Sequence, residues 1–150
     1  MPKLVRIGTV SKTVKYIECK YSLAEYIIDI SLPIHTPILT DFIELHPIPP
    51  DDEMSWLIIR AGYASDGPSG PTYDFKTSMP GAFVHDALYE LIRKGYLPLS
   101  AREQADLIMH SIWIRDKFDK HIARRWYKGV KWFGRESAKP KNQKEILEAP

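Results

Sequence analysis

Residues 78–106 read SMPGAFVHDALYELIRKGYLPLSAREQAD, and this stretch specifies two consecutive helices. Ser78 stands where an N-cap belongs, Pro80 is tolerated in a first turn, and Gly95 closes a helix over residues 80–94. Ser100-Ala-Arg-Glu103 has the form of a capping box. It opens a second helix from Ala101 to about Lys117, with Leu107, Ile108, Ile112 and Trp113 at helical spacing. A third pattern over residues 119–133 carries Ile122, Trp126, Val130 and Phe133 on one side, with Gly134 as its terminator.

Upstream the texture differs. Residues 13–19, 25–30 and 38–45 are rich in Val, Ile, Tyr, Thr and Phe, with Pro33 and Pro37 between the last two, and residues 54–61 form a fourth strand candidate. Between them the run from His46 to Glu53 is rich in proline and acid, which cannot continue a ladder. From Gly62 to Ser78, Asp66-Gly67 and Pro68-Ser69-Gly70-Pro71 mark tight turns. The expected architecture is therefore α+β, an N-terminal antiparallel β-sheet packed on a C-terminal three-helix unit. It is expected as a single domain over 1–134, with strands in 1–61, a structured loop in 62–78 and helices in 79–134, followed by a flexible tail over 135–150.

The 150-residue chain is long enough to bury a core unaided. Its 44 % hydrophobic and 27 % charged content is that of an ordinary globular domain. With 21 basic and 19 acidic residues, the whole is too balanced to imply nucleic-acid binding. Basic residues nevertheless accumulate from Lys117 to Lys144, giving the last helix a positive face, in the first instance a solvated one. Cys19 is the only cysteine, so neither an intrachain disulfide nor a thiolate cluster can form. No apolar run reaches bilayer length and no signal-peptide pattern follows Met1, so the chain is expected to be neither exported by a signal nor membrane-spanning.

The polar residues of the first two helices carry the chemistry. His85 and Tyr89 are four apart and share a helix face, while Asp86 is rotated by about 100°. Across an antiparallel pair, Asp106 can reach His85, fix its tautomer and accept a bond from the Tyr89 phenol. Such a cluster can be an acid–base site with an orienting shell, or a polar lock between two helices in which each group satisfies another. Arg102 and Asp106 also read as an ordinary i,i+4 ion pair. In the preceding loop Asp66, Gly67 and Ser69 offer oxygens to a hard cation such as calcium, or simply form a rigid turn.

The order Ser65-Asp66-Gly67-Pro68-Ser69-Gly70-Pro71, His85-Asp86-Ala-Leu88-Tyr89, then Arg102 with Ala105-Asp106 resembles a family of small uncharacterised phage and prophage proteins. Its pattern is a Thr-Asp-Gly-Ala-Ser-x-Pro loop, a His-Asp-x-Leu-Tyr helix and an Arg-x-x-Ala-Asp helix. This chain departs from it by Ser65, Pro68 and Gly70. The layout is also similar to the bacterial branch of the calcium-dependent phospholipase A2 enzymes, although the cysteines that brace those enzymes have no counterpart. The second resemblance implies His85 as general base on a water and Asp86 as a calcium ligand with the loop of Asp66, Gly67 and Ser69. Tyr89 and Asp106 would form the orienting network.

Three functions follow as expectations. The first is a metal-assisted hydrolase of phospholipid or other esters, phage-encoded and acting on a host envelope. The second is a non-enzymatic virion, tail or assembly component that uses the fold as a binding module among phage structural proteins. The third is a protein that engages a host factor, an acidic partner or a membrane surface through the basic last helix with Trp126, Trp132 and Phe133. The expected location is the host cytoplasm during infection, or the virion.

Overall fold

The computed structural model describes residues 3–10, 13–19, 21–22, 25–49, 53–65, 77–140 and 147–149. The fold is α+β, and the chain divides into two compact units. One comprises Met1–Asp66 with Lys144–Pro150, the other Gly67–Gln143.

The first unit holds the strands. The largest sheet has four antiparallel strands in the order β4 (Tyr26–Ile30), β7 (Ser55–Ile59), β6 (Ile43–Pro47) and β5 (Ile38–Leu39). Alternation in the sequence puts Ile43, Leu45, Leu57 and Ile59 on the buried face, while Ile27 and Trp56 point the other way and stay exposed. Ser55 is the polar exception on that face, and its hydroxyl donates to the Leu32 carbonyl. Residues 38–45, read as one strand, are split in two. The Thr40 hydroxyl bonds both the amide and the carbonyl of Ile43 (3.1 and 2.8 Å), folding the chain back at that point. β6 in turn extends through His46 and Pro47, two residues beyond the predicted strand end, and Pro47 pairs with Ser55.

A second sheet orders β1 (Lys3–Val10), β2 (Thr13–Cys19) and β9 (Leu147–Ala149), all antiparallel, and β3 (Tyr21–Ser22) pairs with β8 (Ala64–Ser65). β2 has the predicted bounds. β1 was absent from the sequence reading because the residues that join it to β2, Ser11 and Lys12, include neither the Gly nor the Asn of a recognisable two-residue turn. β9 lies where the sequence reading has a loose tail; an edge ladder supplies the pairing that its charged flanks do not advertise.

The second unit holds α1 (Met79–Arg93), α2 (Ala101–Arg115) and α3 (Lys120–Ser137). Gly95 closes α1 as predicted: its φ of 82° lets the Tyr96 amide reach back to the Leu91 carbonyl at 2.9 Å. Neither predicted cap forms. Ser78 and Ser100 have helical backbone angles and make no capping bond from their side chains. Ser100 sits inside a tight turn in which Ala101 and Arg102 amides bond the Pro98 and Leu99 carbonyls (3.0 and 3.1 Å), so α2 grows out of that turn. α3 is capped instead by Asp119, whose Oδ1 accepts from the His121 and Ile122 amides (2.9 and 3.0 Å). Those amide bonds hold the Asp119 carboxyl below its usual range.

The helices share an aromatic core. Trp113 and Phe118 meet edge-on with ring centres 5.5 Å apart, Trp126 packs on both, and Met109, Ala123, Ile122 and Val130 complete the cluster. Phe118 enters this core because the chain reverses at Lys117, which adopts φ 59° while the Phe118 amide bonds the Trp113 carbonyl at 2.9 Å. A left-handed backbone costs a side-chain-bearing residue more than glycine. Exposed Lys117→Gly is therefore expected to raise stability by about 0.5–1 kcal/mol, the steric relief less the chain entropy that glycine adds; urea unfolding measures it.

Candidate functional site

Two close contacts set the register of α1 on α2. Trp113 Nε1 donates to the Ser78 carbonyl at 2.8 Å. At Gly81 a Cβ would stand 2.6 Å from the Trp113 ring, so only glycine admits the indole there. With Gly81 held against Trp113 and Met109, an antiparallel pair brings His85 and Tyr89, one and two turns further along α1, opposite Asp106.

The Asp106 carboxylate, 1 % exposed, is where these side chains meet. Its Oδ1 accepts from His85 Nε2 and from the Tyr89 hydroxyl, both at 2.7 Å. A carboxylate offers no proton here, so Nε2 carries the hydrogen and the neutral ring keeps its lone pair on Nδ1. The His85 and Tyr89 rings are stacked at a tilt with centres 4.0 Å apart, which further fixes the imidazole plane. On the opposite edge of the ring, Nδ1 lies 4.0 Å from Asp86 Oδ1, and the Asp86 side chain is one-third exposed.

Burial opposes charge on His85, but the hydrogen bonds and charges of Asp106 and Asp86 outweigh it, so the imidazole titrates above its usual 6.5. Burial, with the bond it donates to Asp106, holds the Tyr89 phenol far above its ordinary value, so it remains a donor. Asp106 Oδ2 makes no hydrogen bond among the described residues. Its charge is met by Arg102 Nη1 at 3.5 Å, and that nitrogen also donates to the Lys131 carbonyl at 3.0 Å, tying the cluster to α3.

The structure thus brings together His85, Asp86, Tyr89 and Asp106. Asp66, Gly67 and Ser69 lie outside the described residues. Asp86, partly exposed and on the Nδ1 side of His85, suits one oxygen ligand of a hard cation. Among the described residues no group of three or more His, Cys, Asp or Glu side chains is placed so as to hold a metal ion by itself. A scan of family models, a search of curated proteins and a search of solved structures each return no match to this chain.

Arg102 is the i,i+4 partner of Asp106 that the spacing predicts, and its bond to the Lys131 carbonyl is what spacing does not reveal. One contributor escaped the sequence reading. Gly134 looked like a helix terminator, yet α3 continues through it to Ser137. Its role is spatial: a Cβ there would stand 2.5 Å from the Tyr89 hydroxyl. A glycine inside a helical pattern is the signal that points to such close approach.

Two outcomes are expected. Gly134→Ala should lose about 1–3 kcal/mol by overpacking, and the loss should shrink in a Tyr89→Phe background, where the obstructing hydroxyl is gone; a double-mutant unfolding cycle reads the coupling. Because the folded-state pKa of His85 is raised, its contribution to stability is full below 6.5 and fades as pH rises through the raised value. Asp106→Asn should lower that pKa and flatten this part of the stability profile, as followed by the His85 ring resonances and by unfolding at several pH values.

Proposed function

We propose that this chain is a phage-encoded, metal-assisted ester hydrolase with a phospholipase A2-like site, acting on phospholipid or related esters of a host envelope. The observation that supports it is the shared Asp106 oxygen. By taking both the Nε2–H of His85 and the Tyr89 hydroxyl, it leaves Nδ1 as the basic atom and turns it toward the partly exposed Asp86.

In that geometry Nδ1 takes a proton from a water as the water oxygen attacks the ester carbonyl. The imidazolium so formed is stabilised by Asp106, and it returns the proton to the departing alkoxide as the carbon–oxygen bond breaks. Asp106 and Tyr89 are positioning residues that hold the ring in one tautomer and one plane. A calcium ion held by Asp86 with oxygens of Asp66, Gly67 and Ser69 would polarise the carbonyl and offset the charge developing on its oxygen.

A second reading is favoured by burial. His85 is only 8 % exposed, and Asp106 and Tyr89 less, as expected of a polar lock between α1 and α2. The fold would then serve as a virion, assembly or host-interaction module.

Hydrolysis of phospholipid vesicles and of a short-chain ester decides between them. The catalytic reading expects His85→Gln to lose about 10²–10⁴-fold in rate, and Asp86→Asn to lose any dependence on added calcium. Since the base must be neutral, the rate should climb as pH rises through the raised pKa of His85. A folded wild-type protein that hydrolyses neither substrate with calcium present would remove the enzyme reading and leave the lock.

A further inference from the structure

The buried side of α3 is spent on the aromatic core, through Ile122, Ala123, Trp126 and Val130. What remains is an outward arc of unusual composition. Lys120, Arg124, Arg125, Lys128, Lys131 and Arg135 are all exposed, and at about 100° per residue they fall within one arc of roughly 140°. His121 and Trp132 lie inside the same arc, and among the described side chains of α3 no acidic one does. None of the six cations has an ion-pair partner among the described residues; Lys131 is engaged only through its backbone carbonyl, by Arg102. Trp132 is 79 % exposed, the most exposed of the large hydrophobic side chains described.

A merely solvated face accounts for the charges but not for an indole standing almost wholly in water. We propose that this face of α3 binds an anionic phospholipid surface. Six cations without an ion pair among the described residues complement, on a convex helix, a plane of phosphate headgroups, each strengthening adsorption about five-fold. An indole at the rim of such a face has the amphipathic form that settles at the headgroup level. No described helix is long and apolar enough to cross a membrane, so the contact is peripheral. Duplex nucleic acid would also draw the cations, but the indole at the edge of a convex helix has no stack of bases to enter. The proposal concerns the surface and stands apart from turnover at His85; if the ester-hydrolase reading holds as well, it names the headgroup charge that the substrate surface carries.

The test is co-sedimentation of the full chain with vesicles of non-hydrolysable ether lipids, so that catalysis cannot enter the readout. Vesicles rich in the phosphatidylglycerol analogue are compared with vesicles of the phosphatidylcholine analogue alone, and each at low and high salt. Expected are binding to the anionic vesicles only, weakening with salt, and a blue shift in tryptophan emission that Trp132→Phe abolishes. Arg124→Gln with Lys128→Gln should bind about 25-fold more weakly while keeping the wild-type circular dichroism. The proposal is overturned if wild type ignores anionic vesicles at low salt, if the double variant binds like wild type, or if duplex DNA binds more tightly and displaces the vesicles. Loss of ester hydrolysis in His85→Gln with vesicle binding intact would separate the two readings, since neither result depends on the other.

Discussion

The helical unit depends on one buried negative charge. Placing the Asp106 carboxylate at 1 % exposure is costly unless its oxygens are engaged. The unit is arranged to engage them: α1 supplies His85 and Tyr89, α2 supplies Arg102 from one turn earlier, and Arg102 carries the connection on to the backbone of α3 at Lys131. Gly134 completes the arrangement by leaving room for the Tyr89 hydroxyl beside α3. Breaking the bond from His85 or from Tyr89 leaves a polar group unpaired in the interior, so the helix packing and the orientation of His85 stand or fall together.

That interdependence explains the rigidity of the cluster. An imidazole with one nitrogen bonded to a carboxylate and its ring laid against a phenol has little freedom, and its remaining nitrogen has a defined direction. Whether the unit uses this as a base or only as a clamp, the side of His85 that looks outward is chosen by the residues behind it. Asp86 is distinguished from Asp106 by its surroundings: one carboxylate is buried and multiply bonded, the other partly open to water.

Much of this was legible in the sequence, and the gaps have physical causes. Periodicity located three helices and four-residue spacing placed His85 beside Tyr89, because both follow from the helix repeat alone. Asp106 was reachable because a short connection between helices implies antiparallel packing. The caps failed because Ser78 and Ser100 were judged by residue type, whereas capping needs a non-helical backbone and both residues are helical, Ser100 because it lies in the turn from Pro98. Gly134 was misread because a glycine that ends a helix and one that admits a neighbour look alike along the chain. β1 was missed because its two-residue connection to β2 carries no turn signature, and β9 because its pairing with β2 is non-local and leaves little imprint on composition.

The pairing of β9 with β2 has a consequence for the order of events during synthesis. Residues 67–143, the whole helical unit, lie between strands that belong to the other unit, so that unit is discontinuous in the chain. All three helices have left the ribosome before Leu147–Ala149 can join β2, whereas β1 and β2 are ready from the start. The helical unit is thus an insertion in the sequence of the other, and the pairing of β9 with β2 closes the stretch of chain that contains it. Closing a long loop costs only slightly more than closing a short one. A nascent chain from which α3 has just emerged would carry all three helices and the β1–β2 pair without β9.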